Sequence, residues 1–252
     1  MSTRRPFVGG NWKMNLDRAR AAELADALAE RFTAPAGDVA VYPAFVHLAD
    51  VADRLKASPV KVGAQDFYVG QEGAFTGEVC LSQLADVGVS HVLVGHSERR
   101  HVLGESDTLC NDKVLAGLDA GMHVTLCIGE TLEQRESGKT DAVNTGQLGY
   151  GLAGVSAAQM AEVTVAYEPV WAIGTGKTAT PEDAQKAHNV IRQAIAFLFD
   201  QTVADAVRIQ YGGSMKPGNA GELLAQPDID GGLIGGAALK PDDFAAIVSA
   251  TG

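Results

Sequence analysis

The stretch V-T-V-A-Y-E-P-V-W-A-I-G-T-G-K-T-A-T-P-E-D, Val163 to Asp183, contains one complete structural unit. Val163–Tyr167 is a short β-branched and aromatic run of the kind that forms a buried strand. It ends in a single carboxylate, Glu168, followed by Pro169, the bulky pair Val170-Trp171, and glycines 174 and 176. Thr180-Pro181-Glu182-Asp183 then opens a helix, with a threonine cap, a proline in the first turn and acids facing the positive end of the dipole. The helix continues as A-Q-K-A-H-N-V-I-R-Q-A-I-A-F-L-F to about Phe199. A carboxylate at the tip of a buried strand is costly unless it is paired, hydrated or used.

The same strand–loop–helix unit recurs in both directions. Further strand candidates are Phe7–Trp12, Val39–Tyr42, Val60–Ala64, His91–Val94, His123–Ile128, Arg208–Tyr211 and Gly232–Ile234. Most are near-continuous apolar runs, as strands covered on both faces should be. Helical patterns fill the gaps: Leu16 to Phe32, Ala44 to Leu55, a segment capped by Ser106 and closed by Gly121, and two that open at Pro217 and Pro241. Eight strand–helix units predict an α/β fold, a closed eight-stranded parallel (β/α)8 barrel. The rival, an open doubly wound sheet, wants G-x-G-x-x-G after its first strand. The first strand here runs into G-G-N-W-K-M-N, residues 9–15. No linker or composition shift divides the chain, so residues 1–252 are expected to form one barrel domain.

Hydrophobic residues make up 46% of the 252 positions and charged residues 20%, as in a globular protein with a large core. No apolar run approaches the ~20 residues of a membrane helix, and the N-terminus lacks a secretory apolar region. Three cysteines at unlike spacings, Cys80, Cys110 and Cys127, make neither a disulfide framework nor a zinc site, and a reducing cytoplasm is expected. The net charge of −11 disfavours nucleic acid as a partner. It also requires that any anionic substrate be held by local positive potential.

In a barrel of this kind the chemistry lies at the C-terminal ends of the strands. Strand one ends at Asn11 and Lys13, strand four at Gly95-His96-Ser97-Glu98, strand five at Cys127, and strand six at Glu168. Strands seven and eight end in Gly212-Gly213-Ser214 and Gly235-Gly236. Such glycine pairs make tight turns. They also let backbone N–H groups approach an anion, and two pairs plus Gly174 favour a phosphate cradle, aided by a short helix starting near Ala237. Lys13 sits among apolar and amide neighbours and can neutralise an anion; Asn11 can bond a substrate oxygen or hold Lys13. If Ser97 caps a short helix, His96 lies beside its positive end and is kept neutral. Glu168 can then take a proton from a carbon next to a carbonyl, its basicity raised by burial. No metal-ligand spacing and no G-x-S-x-G is present, and Cys127 fits a buried apolar position better than a nucleophile.

Seven segments in order carry a resemblance: N-W-K-M-N (11–15), G-A-F-T-G-E (73–78), G-H-S-E-R-R (95–100), C-I-G-E (127–130), Y-E-P-V-W-A-I-G-T-G-K (167–177), Y-G-G-S (211–214) and G-G-L-I-G-G-A-A-L (231–239). Through them the chain resembles the triosephosphate isomerase family, whose fold is the TIM barrel. The resemblance implies interconversion of dihydroxyacetone phosphate and D-glyceraldehyde 3-phosphate, in glycolysis and gluconeogenesis, without cofactor or metal. It makes Glu168 the base, His96 the electrophile, Lys13 the stabiliser of the enediolate and phosphate charge, and Asn11 its assistant. It gives Glu98 and Cys127 supporting places behind these groups, and assigns the phosphate to Gly174, Ser214, Gly235 and Gly236. Pro169-Val170-Trp171 and Lys177-Thr178-Ala179 become the hinges of a lid, with Ala172, Ile173, Gly174, Thr175 and Gly176 as its tip. The long connection Gln65 to Cys80 becomes a loop that enters a second subunit near Lys13, so a homodimer with Phe75 and Thr76 at the contact is expected. The chain departs from the family pattern at Asp66, where Asn is common, at Ala44, where proline is common, and at Cys80, where serine is frequent. A lysine-dependent lyase on the same barrel needs a lysine where Glu168 stands. A non-catalytic binding protein has no need of the full strand-end set.

Overall fold

A computed structural model gives the fold and describes residues 4–172 and 179–252. The strands are β1 Phe7–Asn11, β2 Asp38–Tyr42, β3 Lys61–Ala64, β4 His91–Val94, β5 His123–Ile128, β6 Val163–Tyr167, β7 Arg208–Tyr211 and β8 Gly231–Ile234. Each pairs in parallel with its neighbours in sequence, and β8 returns to β1, closing the barrel. The helices are α1 Arg18–Arg31, α2 Leu48–Leu55, α3 Leu81–Asp86, α4 Ser97–His101, α5 Asp107–Asp119, α6 Leu132–Glu136, α7 Thr140–Gly151, α8 Pro181–Leu198, α9 Gln201–Ala206, α10 Pro217–Leu224 and α11 Pro241–Ser249. The expected strands agree with these to within a residue at each end. The expected helix from Ala44 divides: Phe45–His47 is a single 3-10 turn closed by the His47 N–H on the Ala44 carbonyl, and α2 follows it.

Alternation along the strands builds two apolar layers. Val8, Val41, Val62, Val92, Val124, Val165 and Ile209 face outward and pack with the helices in the larger core. Phe7, Ala40, Tyr42, Leu93, Cys127, Ala166 and Leu233 fill the barrel interior. Gly63 is needed there, because a Cβ would stand 2.3 Å from the Tyr42 ring. The alternation positions the site: Phe7 and Gly9 are followed inward by Asn11, and Thr164 and Ala166 by Glu168.

The floor of the barrel is polar but closed. The His91 and His123 rings lie 4.9 Å apart, and Phe7 meets both edge-on. His123 Nε2 is 2.9 Å from Thr164 Oγ1, and Arg208 reaches Asp38 at 2.6 Å. Outside the barrel, in the layer between α8 and the strands, His188 is fully buried between Tyr167 and Tyr211, with Nδ1 3.1 Å from the Asp228 carbonyl. Burial pushes His91, His123 and His188 each down to about 3. In the unfolded chain these rings take up a proton near the ordinary histidine value, and in the folded chain they do not. Their stabilising contribution is therefore complete above that value and is lost as the pH falls below it. Urea unfolding between pH 7 and pH 5 should show stability dropping by about 1 kcal/mol per pH unit for each ring once the pH is below ~6.5. An unchanged midpoint across that range would contradict the account of these three buried rings.

Candidate active site

Glu168 leaves β6 pointing inward, and its N–H donates to the Ile128 carbonyl at 2.7 Å. Its side chain is 2% exposed and held by two donors. The Ser97 N–H donates to Oε2 at 2.8 Å, and His96 Nε2 lies 2.9 Å from Oε1. The helix start expected at Ser97 is shifted by one residue. His96 itself caps α4, its Nδ1 accepting the Glu98 N–H at 3.2 Å, while Ser97 is the first helical residue and turns its N–H to Glu168. With Nδ1 accepting, the one ring proton is on Nε2 and is donated to Glu168.

The expectation for Glu168 is corrected in direction. Burial does push its carboxyl up, but the His96 ring, the Ser97 N–H and the Lys13 ammonium outweigh it and hold the group below the usual carboxylate range. The carboxylate is already solvated by protein donors, and this lowers its basicity as long as they stay.

Lys13 has φ +51°, a left-handed conformation that a side chain rarely adopts. Two side chains fix it: Asn11 Oδ1 accepts the Lys13 N–H at 3.0 Å, and Gln65 Nε2 donates to the Lys13 carbonyl at 2.8 Å. Its ammonium reaches Glu98 Oε1 at 2.6 Å. Gln65 also donates to the Tyr42 carbonyl at 2.9 Å, and nothing in its sequence context marks it for this work. Cys127 is fully buried inside the barrel, where burial pushes its thiol well up, so it is held as a neutral thiol. Its carbonyl accepts Arg100 at 3.3 Å.

Asn11, Lys13, His96, Glu98 and Glu168 line one cleft of about 790 Å³. Gly212, Gly213, Ser214, Gly235 and Gly236 line it as well, so the two glycine turns open on the same space as the acid, the imidazole and the ammonium. The expected helix near Ala237 is a single 3-10 turn, Gly236–Leu239. A second groove of about 600 Å³ at the outer wall, lined by Ala49, Ala52, Val62 and Val87 among others, contains none of the strand-end groups. Of the lid residues, Val170-Trp171-Ala172 form a 3-10 turn after Pro169, with Trp171 Nε1 2.9 Å from Glu130 Oε1 and the Arg135 guanidinium 4.4 Å above the ring. Ile173, Gly174, Thr175, Gly176 and Lys177 lie outside the described residues, and so does the second-hinge residue Thr178. Phe75 and Thr76 are exposed, on the connection away from the cleft, and Phe75 rests on the Tyr68 ring at 4.4 Å. Among the described residues, no group of three or more His, Cys, Asp or Glu is arranged to hold a metal ion, and no helix is long and apolar enough to cross a membrane.

The family model described as triosephosphate isomerase matches residues 6–251. The chain belongs to the triosephosphate isomerase family. It is 52% identical over 246 residues to the triosephosphate isomerase of Carboxydothermus hydrogenoformans, covering 97% of this chain and 98% of the relative. It is 48% identical over 249 residues to that of Rhodopirellula baltica, with 98% of each chain covered. A third relative, from Syntrophotalea carbinolica, is 52% identical over 246 residues, covering 97% of this chain and 98% of its own length. The matched stretch includes every strand end that lines the cleft.

Gly212 leaves open the space that the Glu168 side chain occupies. A Cβ at this position would lie 2.7 Å from Glu168 Cγ. Gly212→Ala should therefore displace the carboxylate from Ser97 and His96 while leaving the barrel folded. Turnover is expected to fall by about 10²-fold, the scale of a misplaced catalytic group, with an unchanged circular dichroism spectrum. Wild-type turnover in this variant would show that the Glu168 position seen here is irrelevant to catalysis.

Proposed function

We propose that Glu168, His96, Lys13 and Asn11 carry the reaction of this isomerase, the interconversion of dihydroxyacetone phosphate and D-glyceraldehyde 3-phosphate in glycolysis, and by reversal in gluconeogenesis. The observation behind this reading is an imidazole whose Nδ1 accepts a backbone N–H and whose Nε2 lies 2.9 Å from a buried carboxylate, in a cleft shared with an ammonium. Glu168 takes a proton from the carbon beside the substrate carbonyl. His96 Nε2–H donates to the carbonyl oxygen as the C=C bond of the enediolate forms. The ammonium of Lys13 balances the negative charge, with Asn11 keeping the lysine in its unusual backbone conformation. The proton is returned to the neighbouring carbon while the substrate hydroxyl proton passes to the former carbonyl oxygen by way of the His96 ring, which completes the exchange of aldehyde and ketone with no atom gained or lost.

The lowered carboxyl belongs to the free site. When the substrate carbonyl takes over the Nε2–H, Glu168 loses one of its donors while its burial remains. The balance then moves toward higher basicity at the moment a base is needed. Ser214, Gly235 and Gly236 supply backbone and hydroxyl donors to the substrate phosphate, with Gly174 joining them. The segment Pro169 to Lys177 is assigned as the lid that excludes water during the reaction. Residues 1–252 are read as one barrel domain, and the reduced cysteines fit a cytoplasmic location.

The protein is proposed to act as a homodimer. Met14, Val46, Phe75, Val102 and Leu103 are exposed apolar side chains on the connections that follow β1 to β4, which are neighbours around the barrel. An apolar group of that kind on one rim fits burial against a second copy. Phe75→Glu is expected to shift sedimentation toward the monomer at micromolar concentration; a dimer as tight as the wild type would remove Phe75 from the contact.

The decisive measurement is coupled turnover of glyceraldehyde 3-phosphate by wild type, Glu168→Asp and His96→Gln. Loss of about 10²- to 10³-fold in kcat is expected for each, with binding of a phosphate analogue retained. Undiminished turnover by the Glu168 variant would remove this mechanism.

A further inference from the structure

The two arginines of G-H-S-E-R-R take no part in the chemistry above, yet the site depends on the helix that carries them. α4 is five residues long, and Ser97 is its one buried residue, so packing alone does not fix it. It nevertheless supplies the N–H that holds Glu168, the ring that faces it, and the Glu98 carboxylate that meets Lys13. Its two arginines tie it down. Arg100 bonds the Gly95 carbonyl at 2.7 Å and Asp107 at 2.6 Å. Arg99 reaches away from the cleft, placing Nη2 2.7 Å from Asp66 Oδ2 and Nε 2.7 Å from Glu105 Oε1. Lys113 of α5 closes the ring, with Nζ 2.5 Å from Asp66 Oδ1 and in contact with Glu105 Oε1. Asp66, Glu105 and Lys113 are buried, and Arg99 is partly so.

Two cations and two carboxylates balance in this ring. An amide in place of the Asp66 carboxylate would leave one positive charge uncompensated. Removing one partner from a buried ionic cluster costs far more than the cluster is worth when complete, because the remaining charges lose their solvation. Burial pushes the Asp66 carboxyl above its ordinary value, and Lys113 and Arg99 pull the other way without cancelling that push. Asp66 also directly follows Gln65, the residue that bonds the Lys13 carbonyl. The end of β3 thus touches the site on two sides.

We propose that Asp66 is a positioning residue for the isomerase reaction: its carboxylate completes a charge-balanced ring with Arg99, Glu105 and Lys113 that fixes α4, and through α4 the donors to Glu168 and the partner of Lys13. The inference rests on the reading of Glu168 and His96 given above.

The test is a charge cycle of Asp66→Asn, Lys113→Met and the double variant, each assayed for kcat and KM and checked for folding by thermal melting. Asp66→Asn leaves the ring one charge positive, and kcat should fall about tenfold with KM little changed. Asp66→Asn with Lys113→Met restores neutrality around the Arg99–Glu105 pair and should recover most of that loss. If Asp66→Asn alone yields little folded protein, a folded and active double variant supports the ring. Wild-type kcat in Asp66→Asn, or a double variant as impaired as the two single losses multiplied, would overturn it. Glu168→Asp loses turnover whether or not the ring matters, so failure of this inference leaves the catalytic reading standing.

Discussion

One ring proton organises the site. The backbone N–H of Glu98 occupies His96 Nδ1, and this leaves Nε2 as the donor that faces Glu168. Were Nδ1 to carry the proton, the Glu98 N–H would lose its acceptor and Glu168 would face a lone pair. The tautomer, the orientation of the imidazole and the place of the carboxylate are therefore one choice, made by the first turn of a five-residue helix. That helix buries too little to hold itself. The rigidity of the site comes instead from ions and hydrogen bonds anchored on neighbouring strands and on α5, where low dielectric makes each contact strong and each missing partner expensive.

Barrel closure turns local signals into a site. Asn11 and Glu168 are far apart in the chain and share a cleft because each is the next inward residue of a period-two strand in the same closed sheet. The parallel register carries β6 alongside β5, from Val124 opposite Val163 to Ile128 opposite Tyr167, so Glu168 emerges just above the last pair. A slip of one residue would turn Glu168 outward, into the apolar layer beneath the helices. The two packed cores on either side of the strands forbid that slip, and the geometry of the cleft thus inherits its accuracy from apolar packing.

This explains which features were legible in sequence. Strands announce themselves by β-branched runs and helices by caps such as Thr180-Pro181, so the barrel and its strand-end residues follow from short-range signals. Gln65 and Asp66 carry no such signal. Their importance lies in what they reach, the Lys13 carbonyl and the Arg99–Lys113 pair, and those contacts exist only after β3 and β4 lie side by side. The direction of the Glu168 shift is hidden from the sequence for the same reason. Burial can be inferred from an apolar strand, whereas the Ser97 N–H and the His96 proton that oppose it belong to another strand's loop. The cap at His96 rather than Ser97 is a smaller case, since imidazole is a less usual cap than a hydroxyl and no local pattern favours it.

An acidic protein with an anionic substrate presents an apparent conflict, and the cleft resolves it locally. The chain carries a net charge of −11, yet the proposed substrate cleft sets Lys13, Lys216 and Lys240 and two glycine turns beside Glu98, Glu168 and Asp243. Backbone N–H dipoles there have no counterion to lose and keep their orientation at any salt concentration, which a surface lysine field does not. Lys13 is different again. Its φ of +51° is held by Asn11 and Gln65, and its ammonium is paired with Glu98 in the free site. In the proposed reading a substrate anion meets a cation already placed and must compete with a carboxylate half exposed to water. Such an exchange of one anionic partner for another lets the lysine follow charge as it develops on the substrate, without a large change in its own solvation.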